Sequence, residues 1–201
     1  MKASHTIDDS GYMMNFSVRL LAVSCAHAVT RSDILKMIPL YLSNILDHEV
    51  KHFLWRFAHN TLPLRMNIDR RGMEIDTRCP VCHRLNEDGG HCFFKCKYVK
   101  AGWRVMNLKH IRLELMQYSS ALDVGKHILN MEDKMLTTVL FLWNWWDARN
   151  KVNAGEDRRS AEQVYDRVMR MVSETSLLSP AKRSSAEEMA SPYPGRTEAE
   201  F

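Results

Sequence analysis

The chain has no run of the roughly 18 to 20 apolar residues that a bilayer-spanning helix requires. Its longest apolar stretch, Met135 to Trp146, is flanked by Asp133, Lys134 and Asp147 and reads as a buried helix. A disulfide framework is lacking too. Five Cys is an odd number, three of them belong to one motif, and a reducing compartment is expected. Leu20 to Val29 has the small residues of a secretory leader, but Asp8, Asp9 and Arg19 argue against one. No internal repeat is found, and no βαβ pattern surrounds the cysteines, which disfavours disulfide exchange. No H-x-E occurs, which removes the zinc deaminases. The expected location is intracellular, nuclear or cytoplasmic.

What is there suits one globular domain with tails: 201 residues, ordinary apolar content, and thirteen Met and five Trp for a bulky, adaptable core. Net charge is only +4, yet residues 51 to 112 hold thirteen Lys and Arg against five acids, a local +8. Such a block is the electrostatic footprint of a nucleic-acid contact, although an ordinary solvated face has the same composition.

At the centre of that block stands RCPVCHRLNEDGGHCFFKC. Cys79 and Cys82 are separated by two residues, eight more precede His91, and four separate His91 from Cys96. Two thiols in a tight turn can grip one ion, and a short excursion returns an imidazole and a third thiol to close a tetrahedron. Thiolate and imidazole are the donors Zn²⁺ takes in closed structural sites. Pro80 and the segment Asp88-Gly89-Gly90 supply turn chemistry. Buried, unrelated thiols are the bland alternative. Cys92, His83 and His110 are substitute donors, but Cys92 adjoins His91 and reads as a spectator. One ligand set is too few for the two interleaved sites of a RING.

The remaining pattern is helical. Residues 1 to 10 read as disordered, Ser17 to Val29 as a helix, and Pro39 breaks the segment Ile34 to Leu46. Asp47 to His59 is the clearest amphipathic helix, with Val50, Phe53, Leu54 and Phe57 at i, i+3, i+4, i+7. A turn at Thr61-Leu62-Pro63 leads to a short helix, Leu64 to Arg71, stopped by Gly72. Further helices are expected from Cys96 through Met106, over Ile111 to Tyr118, and over Leu122 to Leu129 behind a Ser120/Asp123 cap. A long Trp-rich helix should run from Asp133 to Lys151, and a last one from a Ser160/Gln163 cap to about Val172. From Ser173 the composition turns to Ser, Pro, Glu and Ala and reads as a disordered tail. Trp143, Trp145 and Trp146 read as core, with a protein-binding surface as the alternative. The expected fold class is mostly α: a small helical domain organised around a Cys3His zinc loop, then the long helix and the tail. The expected boundaries are 1–10, 11–107, 108–172 (a helical connector) and 173–201.

The stretch EVKHFLWRFAHNTLPLRMNIDRRGMEIDTRCPVCHRLNEDGGHCFFKC resembles the zinc-binding domain that follows the polymerase region of plant non-LTR (LINE-type) retrotransposon reverse transcriptases. The shared elements are Lys51-His52-Phe53-Leu54-Trp55-Arg56, Leu62-Pro63, Arg71-Gly72, Cys79/Cys82, Glu87-Asp88, His91 and Cys96; Leu64 departs from a common Thr. The likeness extends over about residues 10 to 105. LWNWWDARNKVNAGE looks like the connector such proteins carry before a ribonuclease-H-like domain. Neither that domain's carboxylates nor the polymerase's paired aspartates are found, so no enzyme is expected.

The resemblance implies Zn²⁺ held by Cys79, Cys82, His91 and Cys96 in a non-catalytic module associated with nucleic acid, RNA or DNA. From charge alone, the contact would use Lys51, Arg56, Arg65, Arg70, Arg71, Arg78, Lys95, Lys97, Lys100 and Arg104. The alternatives are a protein-interaction module, with the Trp helix presenting a surface, or an element-derived remnant with no selected role.

Overall fold

The computed structural model describes residues 46–131 and 133–177. The expected N-terminal helix, the break at Pro39 and the tail beyond residue 177 lie outside them. Among the described residues the fold is helical, and one isolated antiparallel bridge, Arg78 to Asn86, is the sole β pairing. The helices are α1 (His48–Ala58), α2 (Arg65–Asp69), α3 (Lys97–Val105), α4 (Lys109–Leu115), α5 (Ala121–Leu129), α6 (Met135–Asn153) and α7 (Ala161–Leu177).

Each forms for the reason its sequence gives. In α1 the stripe Val50, Phe53, Leu54 and Phe57 is buried, as its 3.6-residue period requires. The chain leaves α2 through Gly72 at φ +86°, a conformation that costs glycine little. Ser120 Oγ accepts the Asp123 amide at 3.0 Å and caps α5. Ahead of α7, Ser160 and Gln163 exchange side-chain and backbone bonds of 2.8 and 3.2 Å, a complete capping box.

The last helix is longer than its composition suggests. It continues past Val172 to Leu177 because Ser173 and Ser176 return their hydroxyl hydrogens to Met169 O and Val172 O, 3.0 and 2.8 Å away. Serine in that geometry is satisfied within the helix and does not end it.

One contiguous core takes side chains from every helix except α2, including those after residue 107 that the sequence suggested as a connector. The long helix α6 is its axis. Phe141 is fully buried, and its ring lies 2.9 Å from where a Cβ on Gly102 would stand, so the ring fits against α3 only because residue 102 has no side chain. Trp103 meets the same ring edge-on, with centroids 4.7 Å apart. Trp145 and Trp146 are buried, and Trp143 is half-buried, its ring 5.6 Å from that of Phe53. No helix among the described residues is long and apolar enough to cross a membrane.

Candidate metal centre

The centre is built from two short pieces of backbone. The first is a miniature hairpin, in which the Cys79 amide donates to Leu85 O and the Glu87 amide to Thr77 O, both at 2.8 Å. Its tip holds Cys79-Pro80-Val81-Cys82. The chain turns there through His83 at φ +56°, with the His83 amide donating to Cys79 O at 2.9 Å. The second is a wide helical turn, His91–Lys95, of π type. Asp88 caps its entry by accepting the His91 amide at 2.6 Å, and it closes with the Cys96 amide on His91 O, 2.9 Å away.

That wide turn explains the spacing of the second pair. In an α-helix, residues five apart point about 140° away from each other. An i→i+5 turn brings them closer to one face, and such bulges recur at functional sites. His91 and Cys96 therefore face the Cys79/Cys82 tip together, while Cys92 is turned into the core and is not part of the cluster. His83 and His110 are exposed and also lie outside it.

One donor atom from each of Cys79, Cys82, His91 and Cys96 lies within 4.8 Å of all the others. Four donors bound tetrahedrally at 2.0–2.3 Å are separated by about 3.5–3.8 Å, so an inward shift of about an ångström or less would seat one ion. His91 Nε2 is 3.3 Å from Cys82 Sγ, and Cys79, His91 and Cys96 are buried. Three sulfurs and an imidazole nitrogen, free of disulfides and shielded from water, are the donor set of a closed structural zinc site.

The electrostatics are those of sulfurs competing for protons. The Cys79 thiol is pushed up to about 12 by its hydrogen bond to Cys96 and by burial. Cys96 moves down, because Cys79 donates to it and the amides of Tyr98 and Val99, at the first turn of α3, favour its thiolate. Burial alone would lower His91, but its bonds to Cys79 and Cys82 outweigh that and raise it. Cys92, deeply buried, is pushed well up and stays an inert thiol.

A buried ion pair holds the loop to the helical body, and it was not anticipated from the sequence. Glu87 is completely enclosed. It accepts Arg149 Nε at 2.7 Å, a second N–H from the same guanidinium, and the Arg65 amide at 3.1 Å. Burial works against the Arg149 charge, but the Glu87 carboxylate outweighs it and the guanidinium is raised. Four residues before Arg149 on the same helix, Trp145 donates its indole N–H to Cys92 O at 2.8 Å. The available signal was Arg149 itself, one turn after Trp145 and so on the same buried face of α6, where a charge needs a buried carboxylate.

The ten basic residues do not gather at one point. Lys51 and Arg56 lie on α1, Arg65, Arg70 and Arg71 on and after α2, and Arg78 in the hairpin. Lys95 is in the wide turn, with Lys97, Lys100 and Arg104 on α3. Several hold the structure together. Arg78 chelates Asp76, whose carboxyl its hydrogen bonds lower to about 2. Arg65 donates to Asn153 Oδ1 and Asp76 O, Arg56 to Thr61 O, and Arg70 to Asn67 Oδ1. Lys97, Lys100 and Arg104 are exposed, with the Lys97 ammonium 4.6 Å from the Tyr98 ring centre.

This arrangement has the donor set of a zinc-binding module. Residues 23–103 match the family model described as zinc-binding in reverse transcriptase, and that span contains all four clustered donors. It ends within α3, so α4 to α7 lie beyond it. No curated protein and no solved structure matches the chain.

Proposed function

We propose that this chain is a non-catalytic module of LINE-type retroelement origin, that Cys79, Cys82, His91 and Cys96 hold one structural Zn²⁺, and that its basic surface contacts nucleic acid. The observation that carries the reading is the convergence of four buried or half-buried donors within 4.8 Å. Zn²⁺, when bound, supplies charge and a rigid crosslink between the hairpin tip and the wide turn. Four protein donors fill a tetrahedral sphere and leave no open position for a substrate or an activated water, which supports a structural role. The local excess of positive charge between residues 51 and 112 supports the nucleic-acid contact.

Zinc content of the purified protein, compared with Cys82→Ser, tests the site. One ion per chain is expected, with a marked loss in the variant; equal content in both would remove the assignment. Titration with nucleic acid across a salt series tests the surface, where affinity should fall steeply as salt rises. An affinity unchanged from low to moderate salt would favour a protein-docking role. Met73, Ile75 and Leu85, 55, 38 and 60 % exposed around the hairpin, would then be the first surface to probe.

A further inference from the structure

The outer face of α1 carries a feature that neither the metal centre nor net charge accounts for. His48, His52, Trp55 and His59 stand at i, i+4, i+7 and i+11, on the side opposite the buried stripe. Their rings form a ladder. Centroids of His48 and His52 are 6.2 Å apart with planes inclined by 20°, and those of His52 and Trp55 are 6.2 Å apart and inclined by 10°. Trp55 and His59 follow at 4.8 Å and 37°. His59 is fixed by a 2.8 Å hydrogen bond between its Nδ1 and Trp55 O. His48 and His52 are exposed, and Trp55 and His59 are half-buried.

We infer that this ladder is a base-stacking platform for single-stranded nucleic acid. Aromatic faces accept every base, because every base has a π-face, and a basic flank follows the backbone; these two features together define single-strand binding without sequence preference. Both are present here. Along eleven residues of helix the rings span about 16 Å at 1.5 Å per residue, room for a short run of bases. Lys51 borders the ladder on one side and Arg56 on the other, about 60–70° of helical rotation from its centre line.

On the Arg56 side the ladder opens into a cleft of about 220 Å³, shared by His48, His52, Arg56 and the half-buried Trp143. The cleft thus adds a further ring beside a guanidinium. Glu49 also lines it and sets a limit on how far a phosphate can enter. A protein partner fits less well, since the face offers imidazole and indole, and Leu62, the aliphatic side chain lining the cleft, is only 3 % exposed. Duplex hides its base faces and could not use the ladder.

This inference rests on the proposed nucleic-acid contact, and the test separates the two. Fluorescence anisotropy of labelled oligo-thymidine, oligo-uridine and a duplex of equal length would be measured on the zinc-loaded protein. H48A/H52A should weaken both single strands by about tenfold while leaving duplex affinity and the salt slope unchanged. H48F/H52F, which keeps flat rings and removes any charge, should restore binding. K51Q/R56Q should instead reduce the salt slope. Single-strand binding by H48A/H52A equal to wild type, or an equal loss on duplex, overturns the platform and leaves the charge reading standing. A wild type that binds neither strand nor duplex at low salt removes both. His52 is exposed, and H52A alone serves if the double variant melts below wild type.

Discussion

The hairpin and wide turn, residues 77–96, and the helical body carrying α6 and α7 are held together by different forces. The body is held by apolar burial: Phe141, Leu142, Val164 and Val168 are nearly or fully enclosed, and the rings of Phe53 and Trp103 pack on Trp143, Trp146 and Phe141 of the long helix. The loop contributes few large side chains before Phe93. Its order rests on a two-bond hairpin, a cluster of four side chains fit to share one ion, and one carboxylate anchored in the body. A region too small to bury its own core has to be fastened, either by a metal or to a neighbour. This loop has the donors for the first, and Glu87 supplies the second.

The sharpest way to break this contrast is to remove the metal. Structural zinc contributes about 10 kcal/mol or more to small zinc-organised folds. Chelation of the zinc-loaded protein should therefore abolish hydrogen-exchange protection at the Cys79 and Glu87 amides, while amides within α6 exchange slowly as before. Simultaneous loss in both regions would mean that loop and body unfold as one unit and that the contrast is false.

The next effect in size concerns the anchor. Arg149→Met leaves Glu87 buried without its cation, a change that costs about 3–5 kcal/mol. Adding Glu87→Leu should recover a substantial part, since two apolar residues leave no stranded charge. A double-mutant cycle by denaturant unfolding measures this, and strictly additive losses would show that the pair does not couple loop to body.

The smallest effect should come from a change confined to the body. Gly102→Ala drives a methyl group against the Phe141 ring and should cost about 1–3 kcal/mol in thermal melts, with zinc stoichiometry unchanged. Phe141→Leu on the same background should relieve part of the strain. Zinc loss from Gly102→Ala would show that packing at α3 and α6 controls the metal centre directly.

Much of this could be read from residue order. The Cys79/Cys82 and His91/Cys96 spacing named the four donors, the stripe in α1 named its buried face, and the Ser120 and Ser160 caps marked two helix starts to within a residue. These are local relations, set by backbone geometry over a few residues. The anchor escaped because Glu87 and Arg149 are 62 positions apart, and nothing local to either names the other. Trp145 was placed in the core from composition, but its bond to Cys92 O joins segments that only folding brings together.

Short-range periodicity and ligand spacing thus determined which side chains could share an ion and which helix faces turn inward, because both depend on the repeat of the backbone alone. Tertiary structure decided that the region after residue 107 belongs to the same core as the loop, and that Glu87 ties them together. A buried charge must find its partner in three dimensions, and no local pattern specifies where that partner will stand.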